Sequence, residues 1–270
     1  MRKLVKQLRH GQITIPKEFR EALGLDKDDL LSIALSEGKL EIEPVKVTPK
    51  EKGSPWAREL YQMFAPVRAG RLDAVVNNAG FGFGGAVEDT SIDEAREMFE
   101  TNFFGMLRVC RAVLPHLRER RAGTIVNVSS LAGLIAQPFV GLYCATKFAM
   151  EGATEALRME VRPFGIHVVM IEPGDTRTGF TANRRPTQAS QGSSPYADNM
   201  RRALAVIEHD EQTGTSPDAV ARLLERILRS RSPRLRYPVA STFQRFAAVA
   251  RKVMPGGLFE RALTHYYRVR

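Results

Sequence analysis

The chain has few cysteines, no long apolar run and no metal-ligand spacing, and each lack excludes a class of protein. Its two cysteines, Cys110 and Cys144, cannot build the disulfide framework of a small secreted domain, and reduced thiols predict a cytoplasmic protein. No apolar run is long enough to span a bilayer, and no signal peptide precedes the first motif. The five histidines show no metal-ligand spacing, so no metal site is predicted.

Basic residues outnumber acidic ones, which leaves a formal net charge of +10. The excess is uneven, because residues 217–270 hold twelve Lys or Arg and three Asp or Glu. Aromatic residues are interleaved with these cations. Such a tail is typical either of an amphipathic helix that covers a substrate pocket or of peripheral contact with an anionic membrane or a nucleic acid.

Three short apolar runs predict buried strands, and each ends in a turn or in hydroxyl groups. They cover residues 73–76, 123–130 and 166–171, and helical periodicity lies between them. Strands that alternate with helices predict an α/β fold with a parallel sheet. In such a sheet the functional site lies at the C-terminal ends of the strands.

Four polar residues have the spacing of a hydride-transfer site: Asn102, Ser130, Tyr143 and Lys147. A helix is predicted over residues 91–117 and carries Asn102, while Ser130 ends the second strand. Tyr143 and Lys147 are four residues apart and so share one face of the next helix. A phenol has a pKa of about 10, so it needs a nearby ammonium and hydrogen-bond donors to exchange protons with an alkoxide. A Tyr-x-x-x-Lys pair alone is also typical of an exposed helix, but four residues in register favour the site.

These residues, together with Asn77-Asn78-Ala79-Gly80, Pro173-Gly174 and Thr178, resemble the motifs of the short-chain dehydrogenase/reductase family over residues 71–270. The resemblance implies that Tyr143 is the general acid/base and that Lys147 lowers the pKa of Tyr143 and holds the nicotinamide ribose. It implies that Ser130 orients the carbonyl or alcohol and that Asn102 holds a water in a proton relay. The implied cofactor is NAD or NADP, and its implied binding residues are Asn78, Ala79, Gly80, Tyr143, Lys147, Pro173, Gly174 and Thr178.

Residues 137–152, with residues 162–165 downstream, are similar to the branch of this family that holds 17β-hydroxysteroid and retinol dehydrogenases. That similarity implies a lipophilic alcohol or ketone as substrate. The polar segment 179–197 is then either the substrate lid or a solvated loop.

The glycine-rich turn of the family is missing from the sequence before Asn77. Family members begin with a strand, a Thr-Gly-x-x-x-Gly-x-Gly turn and a helix whose N-terminus binds the pyrophosphate. The glycines of residues 81–85 instead match the loop after the fourth strand of the family. We therefore expect an incomplete Rossmann-type sheet that supplies the nicotinamide half of the cofactor site, and weak or absent catalysis by the chain alone.

Residues 1–47 have a different pattern. Ile13 and Ile15 predict a short strand, Pro16 opens a helix that Gly24 closes, and residues 30–35 and 40–42 predict a hairpin. The segment resembles the swapped-hairpin DNA-binding domains of the AbrB, MazE and SpoVT type, which implies an interlocked homodimer that binds DNA. The basic residues suited to phosphate contacts, with one candidate base-reading side chain, are Arg2, Lys3, Lys6, Arg9, Lys17, Arg20 and Gln12. A merely solvated charged face is the alternative.

Between the two segments, residues 48–70 predict a linker followed by an amphipathic helix at 56–64. This helix either tethers the chain to itself or contacts a toxin, as similar helices do in antitoxins. Two functions stay open: a fused oxidoreductase, or a dimeric regulator or antitoxin whose dehydrogenase remnant is not catalytic. An accidental gene fusion is the third interpretation.

Overall fold

The computed structural model describes the backbone of residues 31–36 and 39–44 and the full residues 72–270. Residue contacts divide the chain into two units, Met1–Glu59 and Leu60–Arg270. In the first unit, β1 (Leu31–Ser36) pairs antiparallel with β2 (Lys39–Pro44), with Ser36 opposite Lys39. The predicted hairpin is confirmed. The other predictions for residues 1–30 and 45–71, which include the seven DNA-binding residues and the linker helix, lie outside the described residues.

The second unit contains a parallel sheet. Its strands are β3 (Ala74–Asn77), β5 (Gly123–Val128), β6 (Ile166–Pro173) and β8 (Arg236–Val239), in that spatial order. A separate short pairing joins β4 (Phe83–Gly84) to β7 (Arg185–Pro186). The predicted α/β fold with a parallel sheet is confirmed.

Helices cover both faces of this sheet. On one face, α2 (Met106–Arg120) and α3 (Gly141–Val161) pack Val113, Leu117 and Met150 against Ile125 and Val168. The other face is covered by α5 (Pro217–Leu228), where Ile227 contacts strand residues of β5 and β6. Strands β5 and β6 are buried on both faces and therefore have continuous apolar runs, which is why they could be recognised in the sequence.

The helix predicted over residues 91–117 is interrupted. It begins as α1 (Ile92–Phe99), whose capping box joins Ser91 and Glu94, and continues as a π-helical segment (Glu100–Gly105) before α2. The π-helical segment carries Asn102, which is fully buried. Single π turns inside helices are frequent at functional sites, and hydrophobic periodicity does not reveal them.

The C-terminal helices α4 (Ala197–Thr213), α6 (Thr242–Val253) and α7 (Gly256–Tyr266) lie near the ends of the strands. Ala250 of α6 and Phe259 of α7 pack on Ile135, and Tyr267 packs with Cys144 of α3. The C-terminal tail therefore covers the cavity described below, in agreement with the first of the two interpretations of its sequence. Within residues 31–44 and 72–270, no helix combines the length and apolar character needed to cross a membrane.

Candidate active site

The residues that follow the four parallel strands converge on one cavity of about 550 Å³. Asn78 and Gly80 follow β3, Ser130 follows β5, and Gly174 follows β6. The predicted site residues that line the cavity are Asn78, Gly80, Ser130, Tyr143, Lys147, Pro173, Gly174 and Thr178. Ala79 and Asn102 are not among the lining residues.

Tyr143 and Lys147 lie in the first two turns of α3 and face the cavity. The Lys147 ammonium donates to the Val128 carbonyl oxygen at 2.9 Å and lies 5.8 Å from the centroid of the Tyr143 ring. The Lys147 side chain is almost fully buried. One backbone contact thus fixes α3 against the end of β5.

Ser130 lies between Tyr143 and the end of β6. Its hydroxyl oxygen accepts from the Ala132 amide at 3.1 Å, and the hydroxyl donates to the Pro173 carbonyl at 3.3 Å. The Ser130 side chain also acts on the Tyr143 phenol, whose pKa it lowers against the larger effect of burial. Ser130 is therefore placed to share a carbonyl oxygen with the phenol.

The side chain of Asn102 holds the loop after β3 rather than facing the cavity. Its Nδ2 donates to the Phe81 carbonyl at 2.9 Å and to the Thr146 hydroxyl at 3.1 Å, and its Oδ1 accepts from the Phe81 amide at 3.0 Å. The water-holding role that the family resemblance implies for Asn102 stays a prediction.

Burial controls the pKa of both members of the Tyr143–Lys147 pair. It raises the pKa of the Tyr143 phenol well above its usual range, and the Ser130 side chain and the charge of Arg184 oppose that shift. Burial also lowers the pKa of Lys147 to about 8, and the charge of Glu151 opposes this shift. At neutral pH the phenol is protonated, which is the form that donates a proton to a reduced carbonyl.

One end of the cavity is acidic. Asp175, Asp210 and Glu211 line it, in a chain whose net charge is strongly positive. Burial and the charges of Asp210 and Glu211 raise the pKa of Asp175 to about 7. Glu211 is paired with Arg184, while Asp210 accepts a hydrogen bond at 2.7 Å from the uncharged Tyr266 hydroxyl. No motif in the sequence indicates this acidic end, because its parts come from segments that are distant along the chain.

The rest of the cavity wall is apolar. Phe180 stacks obliquely on Tyr143, with the ring centroids 5.3 Å apart. Further aromatic and aliphatic side chains come from the C-terminal helices: Phe243, Phe246, Ala247, Ala250, Met254, Phe259 and Leu263. The cavity that the Tyr143 phenol lines therefore has an acidic end and a lipophilic wall.

The segment 179–197 is anchored to the loop after β3. The Arg185 and Thr187 amides donate to the carbonyls of Gly82 and Gly84 at 3.1 and 3.0 Å, and Thr187 is fully buried. Phe180, in the same segment, belongs to the cavity wall. This arrangement favours the lid interpretation over a solvated loop.

The donors along one wall fit the nicotinamide end of a dinucleotide. Asn78 offers an amide, Lys147 an ammonium and Thr178 a hydroxyl, and Gly80 leaves open space beside them. A Cβ at Gly80 would lie 3.3 Å from Asn102 Oδ1 and 3.7 Å from Lys147 Nζ, so a side chain there would crowd this wall. The glycines after β3 lie before the Ser91 cap of α1 rather than at a helix N-terminus, so this loop does not form the pyrophosphate turn.

Comparisons with known proteins identify the family. A sequence model described as short chain dehydrogenase matches residues 55–189. A 3-ketodihydrosphingosine reductase from Bacteroides thetaiotaomicron is 39% identical over 201 residues, which cover 74% of this chain and 75% of the relative. The chain belongs to the short-chain dehydrogenase family. The match to the short chain dehydrogenase model begins at residue 55, inside the segment expected to be a linker. The domain boundary at residue 71 stays a prediction.

Solved structures of this dehydrogenase family share the fold. A short-chain dehydrogenase from Streptomyces avermitilis superposes with a TM-score of 0.64 at 31% identity, covering 79% of this chain and 76% of that chain. A family member from Burkholderia phymatum, solved in complex with NAD, has a TM-score of 0.59 at 24% identity, covering 67% of this chain and 66% of that chain.

The N-terminal segment has its own match. A model of the MazE antitoxin family, described as antidote-toxin recognition, covers residues 5–50. The resemblance drawn from the sequence of residues 1–47 is confirmed at the family level.

Proposed function

We propose that the dehydrogenase part of the chain interconverts a lipophilic ketone and its alcohol with NAD or NADP. The observation that carries the proposal is the convergence of Ser130, Tyr143 and Lys147 on a cavity whose opposite wall is aromatic and aliphatic. An apolar cavity with few convergent polar groups is typical of a binding site for a lipophilic small molecule.

The chain's own residues supply the proton chemistry. A bound nicotinamide ring would supply or accept the hydride at the substrate carbon. In the reductive direction the Ser130 hydroxyl orients the carbonyl oxygen, and the protonated Tyr143 phenol donates its proton to that oxygen as the alcohol forms. Lys147 holds the ribose and keeps a positive charge beside the phenol that has lost its proton.

We further propose that the substrate is an amino ketone. The relative from Bacteroides is named for a ketone of a sphingoid base, a long aliphatic chain with an amino group. The cavity matches both parts, since Asp175 and Asp210 suit an ammonium group and the C-terminal helices suit an aliphatic chain. An ammonium near Asp175 would also stabilise its carboxylate, which burial otherwise disfavours.

Substrate comparison tests this proposal. NADH and NADPH oxidation would be measured with 3-ketodihydrosphingosine and with its N-acetylated analogue, which has no charge. We expect the charged ketone to have the lower KM and Asp210→Asn to raise that KM about tenfold, while the acetylated ketone is unaffected. Asp198→Asn changes an exposed carboxylate on the same helix and is the matched control. Equal effects of Asp210→Asn on both ketones would contradict the amino-ketone proposal.

A second function is proposed for residues 1–50. The MazE match and the antiparallel β1–β2 hairpin support a module that binds DNA, or a toxin, as a homodimer. In the alternative, the chain acts only as a dimeric regulator or antitoxin through this module, and the dehydrogenase part is a non-catalytic remnant. A footprint on a palindromic DNA site without any turnover would favour that alternative.

A further inference from the structure

Two buried carboxylates lie directly behind the catalytic lysine, and the proposed chemistry does not use them. Glu151 of α3 and Glu172 of β6 are 5% and 2% exposed. Glu151 is one helical turn after Lys147 on the same face of α3, so its charge acts on the ammonium from the side away from the cavity.

A single arginine serves both carboxylates. Arg236 of β8 contacts Glu151 Oε2 through Nη2 at 2.8 Å and Glu172 Oε1 through Nε at 2.9 Å. Its Nη1 is bonded to Glu155 at 2.6 Å, a carboxylate that is about half exposed. One guanidinium cannot neutralise two ionised carboxylates in a buried site, and burying an uncompensated charge costs several kcal/mol.

The two carboxylates also act on each other through their charges, because the same guanidinium holds both of them in a buried site. Burial and the charge of Glu151 raise the pKa of Glu172 to about 7, and burial also raises the pKa of Glu151. The groups that face the pair are Lys147 and Glu155 on α3, Arg236 on β8 and the hydroxyl of Ser129. Two carboxylates that share a site hold one proton in common over a wide pH range.

We propose that Glu151 and Glu172 form a proton-sharing carboxylate pair, bridged by Arg236, that keeps Lys147 charged in its buried position. Both are positioning residues, since they act on Lys147 and touch neither substrate nor cofactor. The physical reason is electrostatic: burial disfavours the ammonium, and the nearest buried negative charge that opposes this effect is on Glu151. The inference rests on the proposed role of Lys147, but it can be tested without turnover.

The test is a direct titration of Lys147 in the full chain. The full chain has ten lysines, so labelling lysine with 13C at Cε gives a small set of signals, and Lys147→Met assigns the relevant one. We expect Glu151→Gln to lower the pKa of Lys147 by about one unit, whereas Glu172→Gln, which leaves the single negative charge of the pair on Glu151, should raise it slightly. Glu155→Gln, which removes the exposed partner of the same arginine, should leave it unchanged.

Two outcomes would overturn the proposal. One is a folded Glu151→Gln variant in which Lys147 titrates as in the unmodified chain. The other is a lowered Lys147 pKa in Glu172→Gln, a milder change that keeps the charge of Glu151 and remains informative should Glu151→Gln fail to fold. Where a ketone is turned over, the alkaline limb of the kcat/KM profile should move with the pKa of Lys147. If the pKa of Lys147 shifts but the alkaline limb of the kcat/KM profile does not, the result would support the carboxylate pair and contradict the proposed function of Lys147.

Discussion

The Lys147 ammonium donates a hydrogen bond to the Val128 carbonyl oxygen at 2.9 Å, so the last residue of a central strand holds helix α3. The contact joins two elements that meet at the C-terminal edge of the sheet, where parallel α/β proteins place their sites. It also uses one of three ammonium donors within the protein, and the other two remain for a ribose or a water.

The first prediction concerns Tyr143. If a lipophilic ketone is reduced, Tyr143→Phe should lower kcat by about 10²–10⁴-fold, because the phenol is the proton donor at the site and general acid catalysis contributes about that much. Lys147→Met should have nearly the same effect. Stopped-flow or steady-state oxidation of NADPH measures both. Phe180→Leu, which keeps an apolar neighbour of Tyr143, is the control and should retain most of kcat.

The second prediction concerns affinity for the dinucleotide. The chain lacks a recognisable glycine-rich pyrophosphate turn, and each missing charge-assisted hydrogen bond costs about 1.5–3 kcal/mol. We therefore expect the isolated chain to bind NADH and NADPH more weakly than a complete relative by several kcal/mol. Isothermal titration calorimetry measures this, and micromolar affinity would contradict the prediction.

The sequence was sufficient for three of the four strands of the parallel sheet and for the residues that line the cavity at the end of these strands, but not for β8. The reasons are physical. Val126 and Val169 belong to strands buried on both faces, so their segments have an unbroken apolar pattern. Tyr143 and Lys147 lie on one regular helix, where spacing fixes which residues are neighbours. The structure brings eight of the predicted site residues to one cavity.

The remaining features depend on contacts between distant segments, which local patterns do not encode. The π-helical segment around Asn102 leaves the apolar periodicity of its helix almost unchanged. Glu151 and Glu172 resemble ordinary surface carboxylates in the sequence, and only the position of Arg236, on the neighbouring strand β8, shows that they form a buried pair. Of the pair, only Glu151 could have been related to Lys147 from the sequence, because it follows Lys147 by one helical turn.

The third prediction concerns stability and pH. Burial raises the pKa of Asp175 from its ordinary value of 3.8 to about 7 in the folded chain, so the folded state binds more protons than the unfolded state between these values. The free energy of unfolding should therefore fall as the pH rises from about 4 to about 7. Asp175→Asn should weaken that fall. Urea unfolding at a series of pH values measures it, and Asp198→Asn, an exposed change, should keep the original dependence.

The fourth prediction concerns the N-terminal segment. If residues 1–50 bind duplex DNA as the MazE match suggests, log affinity should fall linearly with log salt. Replacing Arg2, Lys3, Lys6 and Arg9 with Ala should flatten this slope by about 0.9 for each phosphate that the protein no longer neutralises. Binding assays at several salt concentrations measure the slope. Loss of binding at unchanged slope would argue against phosphate contacts, and a monomeric segment would contradict the swapped-hairpin interpretation.

The last prediction concerns self-association through β3. Among the described strands, β3 pairs only with β5 and lies at an edge of the sheet, and its Val76 is 39% exposed. An edge strand with apolar side chains and unpaired backbone groups is a template for pairing with another chain. We expect the chain to form dimers or larger species, unless residues 48–70 cover this edge. Two-fold pairing is favoured because the swapped hairpin also requires a dimer.

Sedimentation velocity and hydrogen exchange distinguish a self-associating chain from a monomer in which the edge of the sheet is covered. Val76→Lys places a charge on the edge strand and should reduce self-association, whereas Val87→Lys, at a loop position that is 70% exposed, should not. Neither substitution removes a core side chain, so the two variants should have similar stability. A difference in self-association between them then reports on the charge placed on the edge strand. A soluble monomer with slow exchange at Val75 and Val76 would contradict the prediction, since protection of these amides without a second chain requires that another part of the same chain completes the sheet.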